Sequence, residues 1–452
     1  MNMTDYLELA KATVNKAAQN GVEVEVIITQ DKETQVRVSG GEVEQLSQSG
    51  SGGMGVRVIQ DGRTGYAYTS DLSDDSIEQT WRTATELAQV ATPDAYRGLP
   101  DPQPIPDEDL EIWDASMQDV PTDRKIELLR QIEQATLDYD ERVVATQWCT
   151  YQDATSHVYL ANSRGFGGQY GRTTAAAYLM AVARDADGHA ATAFGVGASN
   201  FFDDLNAEDI GHEAASKSIS ILGGKPVETH VGTVVLDHFV GAQIIAAISG
   251  ALTAESWQKK RSFLLDRMGQ TVGSDMVTLL DNGRMKRGLA SAPFDGEGVP
   301  TSATRLVDEG VLQNLIYDSY SARKDNRAST GNAQRNGHRG MPSLGPSNFY
   351  IQPGNMTRDE IIAGVEKGFL VLSGMQTGGI DPVTGDCSMS AAGLWIENGE
   401  ITGPVDGVTI ATTLNDFLMN ITAVGNDLRM MPLFGIIGVP TLRVDHVTIG
   451  GS

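Results

Sequence analysis

The residues of this chain that could do chemistry fall in a few short stretches. His212-Glu213 is the most suggestive. A zinc-dependent hydrolase helix sets a second His four residues on, so that both imidazoles share a face and the Glu activates water. Here that position is Ser216 and the next is Lys217, whose amine is protonated at neutral pH. The pair therefore reads as a solvated His-Glu near a helix N-terminus. Gly50, Gly52 and Gly55 match the G-x-G-x-x-G spacing of a dinucleotide loop, but that loop must open a helix. Val56-Arg57-Val58-Ile59 follows instead, a strand pattern, so a Gly-rich turn or bulge is expected. Cys387 could act as a nucleophile only beside a base. No His is near it in sequence, so His338 or His446 would have to approach in space. Otherwise Cys387 is a small residue at a tight backbone approach. The acidic loop from Asp381 to Asp386 has Ala392, not Glu, at the twelfth position of a calcium loop. Residues 330–336, with Arg339 and Gly340, are polar and Gly-rich. They read either as an ordinary loop or as a cavity wall. In the second case Thr330, Gly331, Asn332 and Arg335, with Gly385 and Asp386, would face an extended peptide held by backbone amides and side chains.

The elements that must position these residues follow from periodicity. Residues 4–20 form an amphipathic helix with Leu7, Ala10, Val14, Ala17 and Ala18 on one stripe. It lacks the apolar core of a signal peptide. Val22, Val24 and Val26 alternate with Glu23 and Glu25 as in a half-buried strand, and residues 34–39 form another. Residues 56–59 and 65–69 make a hairpin across Asp61-Gly62, and residues 72–90 a helix. Residues 92–121, rich in Pro, Asp and Glu, make an extended connection. The order then repeats: a helix over 122–139, strands over 143–150 and 157–161, a hairpin of 175–184 with 189–195, and a helix over 206–222. Residues 1–91 and 122–222 thus read as two pseudo-repeats of one α+β domain, 1–224. Residues 225–452 read as a β-rich domain. Hairpin turns are expected at Asp281-Asn282-Gly283, Asp308-Glu309-Gly310 and Glu397-Asn398-Gly399. A helix is expected from Thr357, capped with Glu360 and stopped by Gly368, and a final strand over 440–449. At the centre lies a short buried strand, 233–236, a turn at Asp237-His238, and an apolar core helix over 240–252.

With 34 basic and 59 acidic residues the net charge is −25. That argues against nucleic acid and against an anionic membrane surface, both of which need a basic footprint. Two cysteines, Cys149 and Cys387, make no disulfide framework. No run is long and apolar enough to be a transmembrane segment. The chain reads as soluble and cytoplasmic.

Several long blocks resemble a known family. Residues 288–299, GLASAPFDGEGV, are similar to a GxxxSxPFDxEGV block. Residues 319–324 and 329–333 resemble SYSARK and STGNA. Gly385-Asp386 through Gly393, then Trp395 and residues 397–401, resemble GDxSxxAAGxWxENGEI, and Gly425-Asn426-Asp427 completes the order. These are blocks of the TldD/TldE (PmbA) proteins, the "modulator of DNA gyrase" peptidases. In the TldD branch the helix after the central strand carries H-E-x-x-x-H, which binds zinc and supplies a general base. Counted without gaps from the strand, those positions fall on Ala246, Ala247 and Ala251. A methyl group can neither ligate zinc nor move a proton. The cysteine that follows the GND block in that branch has no counterpart in residues 428–435, and Met sulfur is a poor substitute. The resemblance therefore implies the TldE/PmbA branch: no cofactor in this chain, and zinc in a TldD-like partner that performs the hydrolysis. It further implies action on unfolded or leader peptides, a cavity wall facing the partner, and a homodimer in isolation. The other readings are a stand-alone peptidase using another site, and a homodimeric peptide-binding protein.

Overall fold

The computed structural model describes residues 5–18, 21–432 and 434–451, and only the backbone of residues 375–378. The outer ends of the expected first helix, residue 4 and residues 19–20, lie outside the described residues, as does residue 433. The fold is α+β.

The first half of the chain builds one antiparallel six-stranded sheet. Its elements are helix α1 (Tyr6–Ala17), strands β1 (Glu23–Ser39), β2 (Glu42–Gln60) and β3 (Arg63–Thr69), then helix α2 (Asp74–Val90). Helix α3 (Thr122–Asp138), strands β4 (Val143–Asn162), β5 (Gly167–Arg184) and β6 (Ala190–Ser199), and helix α4 (Ala207–Ser220) repeat that order. The spatial order is β3-β2-β1-β4-β5-β6, so the two units join at the central β1–β4 pair. Alternation gives each strand two different faces. On β1, Val24, Val26, Ile28, Val36 and Val38 are buried under the helices. Ile27 packs on the opposite face with Phe166 and Phe294, against the second half of the chain.

A pair of glycines stands at matching places in the two units. A Cβ on Gly65 of β3 would run into the Ala84 carbonyl of α2, and a Cβ on Gly195 of β6 into the Ile210 carbonyl of α4. Each outer strand seats its own helix through a residue without a side chain. Gly65→Ala and Gly195→Ala are each expected to cost about 1–3 kcal/mol, the range for overpacking. Chemical denaturation measures it; an unchanged midpoint would mean the helices give way freely.

Several expected details are corrected. The expected strand pairs 22–26 with 34–39, and 143–150 with 157–161, are single long strands, β1 and β4. The residues between them contain neither Gly nor Pro, and their backbone groups stay paired across the ladder. Gly50 to Gly55 is no turn or bulge but lies inside β2. Asp281-Asn282-Gly283 closes no tight hairpin: Asn282 pairs with Ala303, after a long excursion. The helix capped by Thr357 and Glu360 stops at Gly364, not Gly368.

The second half contains another six-stranded sheet and a set of longer strands. Among the latter, β7 (His230–Leu236) lies between Lys367–Ile380, parallel to it, and Leu442–Gly450, antiparallel. Glu400–Thr413 pairs with both Asp386–Glu397 and Leu442–Gly450, which closes five strands into a barrel. Helix α5 (His238–Ala251) follows β7 and is apolar nearly all round. Such a helix must be covered on most sides. Val240, Ile244, Ile245 and Ile248 lie in the largest core, shared by the barrel and by the second sheet's strand Ile436–Val439. No helix among the described residues is long and apolar enough to cross a membrane.

Candidate functional site

The turn between β7 and α5 places a carboxylate in the interior. Asp237 is 1% exposed, and its Oδ1 accepts the Phe239 amide at 3.2 Å, capping α5. Such a burial is costly unless the charge is paired and hydrogen-bonded. Lys217 of α4 donates to Asp237 at 2.8 Å and to Glu213 at 2.8 Å, and Arg358 approaches the other Asp237 oxygen at 3.3 Å. Arg429 grips both Glu213 oxygens, at 2.6 and 2.9 Å, and also bonds the Val196 carbonyl. His238 Nε2 lies 2.8 Å from the Asp427 carbonyl. Burial pushes the Asp237 carboxyl up, but Lys217, His238 and Arg358 pull it further down, to a net position well below the usual range. Burial alone would lower Lys217; Asp237 and Glu213 raise it above its ordinary value. Lys217 is thus a fixed cation, neither a base nor a nucleophile at neutral pH. The cluster lines a cavity of about 860 Å³ between α4, β6 and the second half. It ties the two halves together, and Phe194 of β6 stacks on Phe239 of α5 at 5.5 Å beside it.

Glu213 therefore corrects the expectation of a solvated His-Glu pair. His212 is exposed and packs on Tyr139 at 5.2 Å, whereas Glu213 points inward. A repeat of 3.6 residues puts Lys217 one turn beyond Glu213 on the same face, and that spacing was the readable signal. Asp237 gave a weaker one, a charge set between two apolar runs.

Two turns along α5 stand Ala246, Ala247 and Ala251. Ala246 and Ala247 are half-buried, and Ala251 is fully buried. Nothing lies within 4 Å of where a Gly250 side chain would begin, so this end of the helix shows a small-residue face to open space. Zinc needs imidazole, thiolate or carboxylate donors. The donor set here does not fit it: three methyl groups on the helix, and Met430 and Met431 in the segment after Asp427. Among the described residues, one His/Cys/Asp/Glu group has ligand-like spacing: Asp185, Asp187 and His189 at the β5–β6 turn. There Asp185 accepts the amides of Asp187 and His189 and approaches the His189 ring at 2.8 Å, the bonds of an exposed turn.

The polar segment around residue 330 lines an internal cleft. Thr330 Oγ1 donates to Asn332 at 2.6 Å, and Asn332, 2% exposed, donates to Asp281 at 2.6 Å. Arg335 bonds the Gly296 carbonyl at 2.6 Å and pairs with Glu25. Gly331 takes a positive φ against Pro300 and lines the cleft. Gly385 and Asp386 turn the strand pair of the barrel; Gly385 has φ +86, and Asp386 accepts the Thr384 hydroxyl at 2.8 Å. Cys387 is buried in the main core, and burial pushes its thiol up to about 11. His338 bonds Thr29, and His446 is exposed.

Three cavities follow one another across the open face of the first sheet. The first, about 430 Å³, and the next, about 400 Å³, share Glu33; the next and the large one share Ala198 and Leu289. Ser47, Ser49, Ser51, Ala154, Ser156 and Ala176 line this path, so its walls are formed largely by small side chains.

Profiles of the PmbA/TldA metallopeptidase family match three stretches: domain 1 at residues 24–88, the central domain at 116–222 and the C-terminal domain at 229–451. A Haemophilus influenzae protein called a metalloprotease PmbA homolog is 32% identical, over 97% of this chain and 94% of its own. Metalloprotease PmbA of Escherichia coli O157:H7 is 29% identical over 95% of each chain. The crystal structure of a Thermotoga maritima protein described as a putative modulator of a DNA gyrase superposes with a TM-score of 0.90 at 26% identity. That match covers 98% of this chain and 100% of that one.

Proposed function

Because the chain belongs to the PmbA/TldD metallopeptidase family, we propose that it is the metal-free subunit of a heteromeric zinc peptidase. A TldD-like partner would carry the zinc, the water-activating Glu and the hydrolysis. What supports this reading is the small-residue end of α5, where Ala246, Ala247 and Ala251 stand at the positions to which the TldD-branch resemblance assigns the zinc motif. The ion cluster at the other end of the same helix is saturated and offers no reactive group in its place. The chain's own part is then to build a wall of the chamber and to admit flexible chains along the cleft while excluding folded domains. The units on either side of residue 224 supply the two walls. Unfolded peptides and leader peptides are the substrates this geometry suits.

The test uses the purified chain alone and mixed with a TldD-like chain. Zinc well below one equivalent is expected in the lone chain, with cleavage of an unstructured peptide only in the mixture. One equivalent of zinc and full cleavage by the lone chain would overturn the proposal.

A further inference from the structure

We propose that the cleft of about 430 Å³ over β1, β4 and β5 is a binding site for a zwitterionic dipeptide, with the ammonium group on Asp31 and the carboxylate on Arg172. Register places these two residues in one row: Asp31 of β1 faces Ser156 of β4, and Ser156 faces Arg172 of β5. All three line the cavity, on the same face of the sheet. Neither charged side chain has a hydrogen-bond or ion-pair partner among the described residues, although both are half-buried. Elsewhere the deeply buried charges have close partners: Arg57 and Lys217 meet carboxylates, and Asp281 and Asp295 accept side-chain or amide hydrogen bonds. Half-buried charges of opposite sign held apart are costly unless something bridges them.

The spacing selects the ligand. Two strand intervals set the backbones of Asp31 and Arg172 about 10 Å apart. A dipeptide is about 7 Å long when extended, at 3.3–3.6 Å per residue, so both side chains reach its ends by leaning inward. A single amino acid is too short to touch both. A longer chain would carry its terminal charge past one of them. Beside the charged row the wall turns apolar: Ile27, Leu160 and Phe294 are buried there, with Tyr170 next to them. Apolar side chains of the dipeptide point to that side. The inference does not rest on the metal-free reading, because binding needs neither zinc nor a partner.

Calorimetry on the isolated full chain tests it with leucyl-phenylalanine, its N-acetyl form, its C-terminal amide, and free phenylalanine. The free dipeptide is expected to bind, with each blocked form at least tenfold weaker and phenylalanine weaker still. Arg172→Ala should abolish the discrimination against the amide alone, and Asp31→Ala that against the acetylated form alone. Both variants should match or exceed the parent's thermal midpoint without ligand, since neither side chain has an internal partner. Equal binding of free and blocked dipeptides, tighter binding of phenylalanine, or no heat with any of the four would overturn the proposal. The ligand series on the unaltered protein decides the matter even where a variant folds poorly.

Discussion

Arg57→Ala is expected to destabilise the protein by about 3–5 kcal/mol, the usual cost of stranding buried partners of a lost charge. The Arg57 guanidinium donates to Glu25 at 2.7 Å and to Glu297 at 3.0 Å, and all three side chains are nearly inaccessible. Glu25 and Arg57 are direct cross-strand neighbours on β1 and β2. Glu297 belongs to the second half, where it also accepts the Ser319 amide at 3.0 Å. Arg57 is therefore the cation through which the first sheet holds the loop of residues 290–301. With alanine there, Arg335 still holds Glu25, but Glu297 loses the cation that offsets its burial and favours the protonated form. Its folded pKa then stands above the unfolded one, so the variant loses stability as pH rises from about 4 through that value. The gap to the parent should be smaller at pH 5 than at pH 8. Urea denaturation at the two pH values measures it. Pairing Arg57→Met with Glu297→Leu should cost less than the sum of the single changes. Strict additivity would show that the two side chains do not act as a unit.

This network was invisible in the sequence, and the reason is physical. Its members lie some 30, 240 and 310 positions apart, and nothing local distinguishes Glu25 from Glu23, the other acid of an alternating strand. Local physics was readable where one element suffices. The Asp61-Gly62 hairpin, the Thr357–Glu360 capping box and the buried Ala10, Val14 and Ala17 of α1 stand where periodicity and turn chemistry put them. It failed where a distant segment sets the requirement. Gly53 and Gly55 look like turn residues, yet they sit in mid-strand because the segment 337–339 lies on them. A Cβ at Gly53 would come within 2.5 Å of His338 Nε2, and one at Gly55 would overlap the His338 carbonyl. The same holds for the site. Ala246, Ala247 and Ala251 could be located by counting along one helix. The ion cluster two turns before them draws on α4, on the strand Arg429–Met431 and on the helix Arg358–Ala363, and no spacing rule connects those.

Asp237→Ala should bring a loss of comparable size, about 3–5 kcal/mol, with a distinctive pH dependence. Two effects combine. The helix loses its cap, worth about 1 kcal/mol. Lys217 keeps a single carboxylate partner, and Arg358 loses its contact. Asp237→Asn separates them: its amide oxygen can still accept from the Phe239 amide, so only the charge is lost. The sign follows from the depressed folded pKa of Asp237. A carboxylate held below its unfolded value contributes stability that is complete above the unfolded pKa, about 4, and lost as pH falls through the folded one. Lys217, raised above its ordinary 10.5, contributes stability that is complete below that value and lost at higher pH. The gap between parent and Asp237→Asn should therefore be flat from pH 6 to 9, and should shrink below pH 4 and again above 10.5. Denaturant titrations across that range give the curve. A gap that stays constant down to pH 2 would mean that packing, and not charge, fixes α5 at the head of the cavity.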